Sequence, residues 1–225
     1  MKRFLLVILV LSFVDSRAQV EGQDAQGNVT DLAAGSMFRS FDNRFRGIDG
    51  YPTLVKSYCR GEVFMINGKT VKYDSINLDV YSNDLLVKRD RSEAVFNRAL
   101  AKGFSMEVGE SALVFTKVKD SDGLEFFCQI LADGKNKLLK HTSKTISGPT
   151  NTGAYSSGRF NSEFIEKSKL YLKKESGELV ELKNKKLLVA QFPDHEEKIS
   201  AFIKNNRLGM KEGELAKVVD YINTL

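Results

Sequence analysis

Glu62-Val63-Phe64-Met65-Ile66-Asn67-Gly68-Lys69-Thr70-Val71-Lys72-Tyr73 reads as two short strands joined by a tight turn. Asn-Gly between apolar runs is a strong hairpin signal, because a type I′ turn needs positive φ at both central positions. With Asn67 and Gly68 in those positions, Phe64 faces Val71 and Ile66 faces Lys69. Phe64, Val71 and Tyr73 then share one face of the hairpin.

The period of two continues outward. Ile76, Leu78 and Val80 alternate with Asn77 and Asp79, which predicts a half-buried strand. Ser82-Asn83-Asp84 turns the chain into Leu85-Leu86-Val87, while 93–106 settles on no period. Strands are expected over 112–119 and 124–131 around the turn Asp120–Gly123. Asp133-Gly134 then turns the chain into 137–141. In that register Cys128 faces Leu139 and Phe126 faces His141, so Leu124, Phe126, Cys128 and Ile130 form a core face. Ser147 to Ser157 is a Gly, Ser, Thr and Asn loop, and Ser176-Gly177 centres a last hairpin between 170–172 and 179–182.

Towards the N-terminus, Phe38, Phe41, Phe45 and Ile48 recur at helical spacing, broken by Gly47, Gly50 and Pro52. At the other end, Asp194 and Glu197 make a capping pair ahead of Ile199, Phe202 and Ile203. Gly209 is a stop, and Leu215, Val218, Val219 and Ile222 repeat the apolar stripe. Helices are predicted over about 195–207 and 212–223. The fold expected is mainly β within an α+β class. It is a curved or partly closed antiparallel β meander of eight to eleven strands over 55–183, with a C-terminal pair of amphipathic helices in 184–225 packing on the sheet.

Composition agrees with a globular chain. It has 225 residues, 42% hydrophobic and 28% charged, with 17 Gly and three Pro. Disorder, collagen and coiled coil are excluded. The first eighteen residues read as a secretory signal peptide: Lys2 and Arg3, an apolar run over 4–14, then Asp15-Ser16-Arg17-Ala18 with small residues at the cleavage positions. Cleavage is expected after Ala18, leaving a soluble chain in the periplasm or secreted. Residues 19–54 form a lead-in, polar at first and partly ordered at its aromatic stretch. Asn28-Val29-Thr30 matches a glycosylation sequon. Lys2, Arg3 and Arg17 leave with the signal, as does Asp15, so formal net charge falls from +5 to +3. That small excess argues against a nucleic-acid partner. The apolar run is too short to span a bilayer.

Chemistry-bearing residues are few. No HExxH, paired CxxC, P-loop, GxGxxG or GxSxG occurs, so neither metal nor nucleotide cofactor is expected. His195-Glu196-Glu197 reads as the first turn of a helix, where acids meet the positive end of the dipole. Cys128 and His141 are the one weak catalytic pair, a thiol with a base across a hairpin, set among Phe126, Ile130 and Leu139. Core packing is the reading preferred for both, since a reactive thiolate needs polar surroundings. Cys59 and Cys128 could pair in an oxidising compartment or remain buried free thiols, the reading preferred here. One basic stretch holds Lys135, Lys137, Lys140, His141 and Lys144. The other holds Lys167, Lys169, Lys173, Lys174, Lys183, Lys185 and Lys186. On strands they would make either a positive docking face or a solvated one.

Three stretches resemble a group of small exported proteins of Bacteroidota for which no activity is established. They are Arg44-Phe45-Arg46-Gly47-Ile48-Asp49-Gly50-Tyr51-Pro52, the Gly-Glu-Val-Phe-Met-Ile-Asn-Gly run at 61–68, and Phe202-Ile203-Lys204-Asn205-Asn206-Arg207-Leu208 with the ending Tyr221-Ile222-Asn223. The resemblance implies export from a Gram-negative bacterium.

The function expected is a non-enzymatic exported binding or structural module. Its most concrete form is an apolar-ligand carrier whose cleft is lined by Phe64, Phe126 and Ile130. The alternative is a cell-envelope interaction module docking a protein through the C-terminal helices or a lysine-rich face. A hydrolase whose site is assembled from distant residues comes third.

Overall fold

The Asn67-Gly68 hairpin forms one residue out of the expected register. The structure is a computed structural model and describes residues 22–23, 29–30, 38–40, 45, 48–89, 92–148 and 162–225. Strand β4 (Cys59–Met65) pairs antiparallel with β5 (Thr70–Asp79), with Val63 opposite Val71 and Phe64 opposite Thr70. Gly68 N donates to Met65 O at 3.1 Å and Met65 N to Lys69 O at 2.8 Å. Gly68 has φ +81° while Asn67 keeps negative φ. This is a three-residue loop, a type I turn closed by a left-handed glycine, in place of a two-residue type I′ turn. The loops Asp120–Leu124 and Lys174–Glu178 repeat its hydrogen bonds around Gly123 and Gly177. A one-residue slip moves a whole strand to the other face. Val63, Val71 and Tyr73 therefore share the core side, and Phe64 points the other way.

The chain forms two units, residues 1–36 and 37–225. In the first, β1 (Gly22–Gln23) pairs with β2 (Val29–Thr30). The expected signal peptide, Asn28 of the sequon and most of the 147–157 loop lie outside the described residues. The second unit begins before the expected boundary at 55. It holds β3 (Phe38–Ser40), β4 and β5, followed by β6 (Asp84–Arg89), β7 (Ser92–Phe96), β8 (Ala101–Val108) and β9 (Ser111–Lys119). Then come β10 (Glu125–Ala132), β11 (Lys137–Ser147), β12 (Glu163–Lys173) and β13 (Leu179–Glu181).

These strands form one antiparallel sheet in the order β13-β12-β11-β10-β9-β8-β4-β5-β6-β7-β3. The predicted meander therefore has one departure, because β8 returns to the free edge of β4. In a flat sheet β7 and β8 would lie four strand spacings apart, about 19 Å. They are joined only by Asn97 and a 3₁₀ turn over Arg98–Leu100, which advances roughly 2 Å per residue. So short a link closes only if the sheet curls. Main-chain bonds cross the resulting seam. Lys144 N donates to Val80 O at 3.1 Å, Asp49 N to Ser162 O at 2.8 Å, and Phe164 N to Asp49 O at 3.1 Å. The sheet is curved and partly open.

Inside the curl, Val63, Ile76, Leu85, Phe96, Phe104 and Phe127 are almost wholly buried. Phe104 stacks on Phe115 at 4.5 Å and meets Phe127 edge-on at 5.1 Å. Strand β5 was expected to be half-buried, yet Asn77 and Asp79 are buried as well. Asn77 satisfies its amide by donating to Val55 O at 2.8 Å, so the segment after Thr53 covers that face. Such a buried amide costs little only because it is bonded.

Three helices cover the far end of the sheet: α1 (Lys185–Val189), α2 (Glu196–Asn205) and α3 (Glu212–Ile222). Leu138 and Leu172 face them, together with Ile199, Leu215, Val218 and Val219. On the opposite side of the same strands, Phe126, Cys128, Leu139 and Val118 form a smaller core. Asn223, closing α3, ties the helices to the β10–β11 turn: its Nδ2 donates to Asn136 O at 2.9 Å and its Oδ1 accepts from Asn136 N at 2.9 Å.

Several expectations change. Phe38 lies in an edge strand with Phe96 opposite it, and Phe45 sits in a turn, so among the described residues of that segment none is helical, and Phe41 lies outside them. An available sheet edge outcompetes a short amphipathic helix that would be marginal alone. Leu124 is 66% exposed because it closes the Asp120 loop instead of opening β10. α1 is an additional helix. Asp194 falls within a 3₁₀ turn started by Pro193, so α2 begins at Glu196 with no side-chain cap. The stop comes at Arg207, two residues before Gly209.

Candidate functional site in the helical cleft

Asn184 starts α1, its Oδ1 accepting from Leu187 N at 2.9 Å. The amphipathic pattern of α2 ends in a Schellman turn, with Leu208 N donating to Ile203 O at 3.0 Å and Arg207 N to Lys204 O at 3.1 Å. That turn buries Leu208 and leaves Arg207 exposed. Lys185 Nζ crosses from α1 to Leu208 O at 3.0 Å. Between the two helices lies an open cleft of about 820 Å³. Val189, Ala190, Ile203 and Leu208 supply its apolar floor. Lys185, Lys186, Lys204 and Arg207 stand at its rim with Glu196 and Ser200. Among the described residues no carboxylate is ion-paired with these four cations, so the cleft carries a net positive charge. Such an arrangement can hold an anionic group above an apolar tail, with cationic donors for the head and aliphatic carbons for the rest.

The residues singled out from sequence are distributed differently. Cys128 and His141 both sit in the small core around Phe126, whose ring lies 4.6 Å from that of His141. Gln129 is opposite Lys140 in β10–β11, two residues off the expected pairing, because the loop between Ala132 and Leu138 holds five residues and a bulge between Ile130 and Ala132 takes back one. Burial alone pushes the Cys128 thiol up to about 12. Burial, then the charge of Lys169, holds His141 below its ordinary value. A thiol so raised, beside a base so weakened, has no thiolate for nucleophilic attack near neutral pH. Cys59 lies on β4 against the main core, with Sγ donating to Ile76 O at 3.6 Å. Both cysteines are free thiols. Phe126 and Ile130 belong to one cluster, while Phe64 is on β4 and away from it. The interior of the curl is filled by stacked phenylalanines, so these three residues line no shared cleft.

The basic stretches do not make one face. Lys137 pairs with Asp133, Lys140 with Glu212 at 2.8 Å, Lys169 with Glu181 at 3.1 Å and Lys174 with Glu178 at 2.9 Å. Lys144 is buried, donating to Thr53 O at 2.6 Å and Tyr51 O at 3.1 Å, with the Tyr51 ring 4.0 Å away. Among the described residues, no group of three or more His, Cys, Asp and Glu side chains is placed to hold a metal ion. No helix among them is long and apolar enough to cross a membrane.

No family model, curated protein or solved structure matches the chain. The cleft therefore stands on its own geometry. Sequence reading missed it because α1 has five residues, too few for a periodic signal, and its lysines read as strand surface. The Asn184 cap before Lys185-Lys186-Leu187-Leu188-Val189 was the available clue.

Proposed function

We propose that the chain is an exported, non-enzymatic binding module that carries an anionic amphiphile in the α1–α2 cleft. Lys2-Arg3, the apolar run after them and Ala18 support export, to the periplasm or beyond the cell, in keeping with the resemblance to Bacteroidota proteins. The observation that carries the ligand class is the cleft itself, in which Lys186, Lys204 and Arg207 rim an aliphatic floor. A neutral apolar cargo would leave those cations unused, and a phosphate alone would leave the floor wet. The carrier expected from sequence is thus retained, with its site moved from the sheet to the helices.

The test is a calorimetric titration with dodecanoate and with dodecyltrimethylammonium, both below their micelle concentrations. One-to-one binding of dodecanoate, at least tenfold weaker in Lys186→Glu/Lys204→Glu, is expected, with no binding of the cation. Equal binding of the two amphiphiles, or of neither, would overturn the reading.

A further inference from the structure

Strand β12 is eleven residues long and pairs with β11 along its whole length, from Ser147 opposite Glu163 to Lys137 opposite Lys173. Among the described residues, its other edge is covered only at the ends. β13 takes Tyr171 to Lys173, and Leu182 N adds a bond to Leu170 O at 2.7 Å. At the opposite end Asp49 takes Ser162 O and Phe164 N. Main-chain groups alternate sides along a strand. Since Phe164 N and Leu170 O point outward, so do the groups of Glu166 and Ser168. Among the described residues, nothing bonds Phe164 O, Glu166 N, Glu166 O, Ser168 N, Ser168 O or Leu170 N on that side. Residues 165–169 are all exposed. The open stretch is three donors and three acceptors in register, about 20 Å long.

We propose that this gap in β12 is a docking site for an extended, acidic segment of a partner protein, which adds to the sheet as a strand. Charge selects the partner. Lys167 and Lys169 share one face of the gap, and β13 already shows how that face is satisfied: Glu181, opposite Tyr171, reaches diagonally to Lys169 at 3.1 Å. Lys167 has no ion pair among the described residues. A strand continuing the line of β13 with a carboxylate at every second residue would do for Lys167 what Glu181 does for Lys169. A second copy of the same edge fits poorly. Antiparallel self-pairing centred on Ser168 sets Lys167 against Lys169, and centring on Lys167 sets that lysine against itself. This site is separate from the helical cleft and does not depend on the amphiphile reading.

The test uses the full chain and two fluorescent hexapeptides, one alternating valine and glutamate, the other valine and lysine, read by anisotropy. Ser168→Pro removes one outward N–H and leaves every bond to β11 in place, and a proline is tolerated on an edge of this kind. Ser168→Thr is the control, and the thermal transition of each variant reports folding. The acidic peptide is expected to bind wild type and Ser168→Thr alike. Binding should fall at least tenfold in Ser168→Pro, and Lys167→Glu should reverse the preference between peptides. Acidic-peptide binding that survives Ser168→Pro, or no binding to the folded wild type, would overturn the proposal. So would self-association in sedimentation that Ser168→Pro abolishes, since that would give the edge to a second copy.

Discussion

Cys128 has zero exposure and its thiol is raised by burial to about 12 from an ordinary 9.0. Folding therefore favours the protonated thiol. That contribution is complete below pH 9 and is lost as pH climbs from 9 towards 12. In urea unfolding, the stability difference between wild type and Cys128→Ala should be constant up to pH 9. Between about pH 9.5 and 11, wild type should lose about 1.4 kcal/mol per pH unit more than the variant. Parallel curves across that range would show that the thiol is not buried in the folded protein. The same residue shows how far sequence reaches. Its place on an apolar face followed from the alternation of Phe126, Cys128 and Ile130. Its exact neighbours depended on the length of the loop at Asp133-Gly134 and on the bulge between Ile130 and Ala132, which no local pattern encodes.

At the scale of the elements, residue and conformation disagree at the α2 terminus. Arg207 occupies the left-handed position of the Schellman turn at φ +51°, where glycine has no Cβ to strain. Arg207→Gly should raise stability by about 0.5–1 kcal/mol, read as a shift of the urea midpoint at constant slope. An unchanged or lowered midpoint would mean that the arginine's own contacts outweigh the backbone strain. Helices α2 and α3 were legible because their apolar residues recur at spacings of three and four, Ile199, Phe202 and Ile203 in one and Leu215, Val218, Val219 and Ile222 in the other. The hairpins were legible from their glycines. Their registers were not, since Asn67-Gly68 and its neighbours suit a two-residue and a three-residue loop alike, and packing of Val63 and Met65 into the core chooses between them.

At the scale of the whole molecule, Lys144 clasps the seam of the curled sheet. Its Nζ satisfies the carbonyls of Tyr51 and Thr53, while its backbone N reaches Val80 O. Around it Phe45, Tyr81 and Phe164 meet edge to face at 5.1, 5.3 and 5.9 Å. Lys144→Met keeps the length of the side chain but orphans both carbonyls, at a cost of about 2–4 kcal/mol. Amide exchange should quicken at Leu54 and Val80, whose N–H groups bond across this segment to Leu78 O and Pro52 O. Unchanged protection at both amides would assign the closure of the seam to the aromatic contacts instead.

From the sequence alone come the alternating strands, the glycine-centred turns, the two long amphipathic helices and the scarcity of catalytic side chains. These are local properties, set by φ, by periods of 2 and 3.6, and by residue chemistry within a few positions of one another. Tertiary structure decided the return of β8 to β4, the burial of Asn77 and Asp79, the helical cleft and the gap along β12. Each of those depends on which distant segments come to lie side by side. That is settled by the joint packing of the whole core, to which any one stretch contributes only one face.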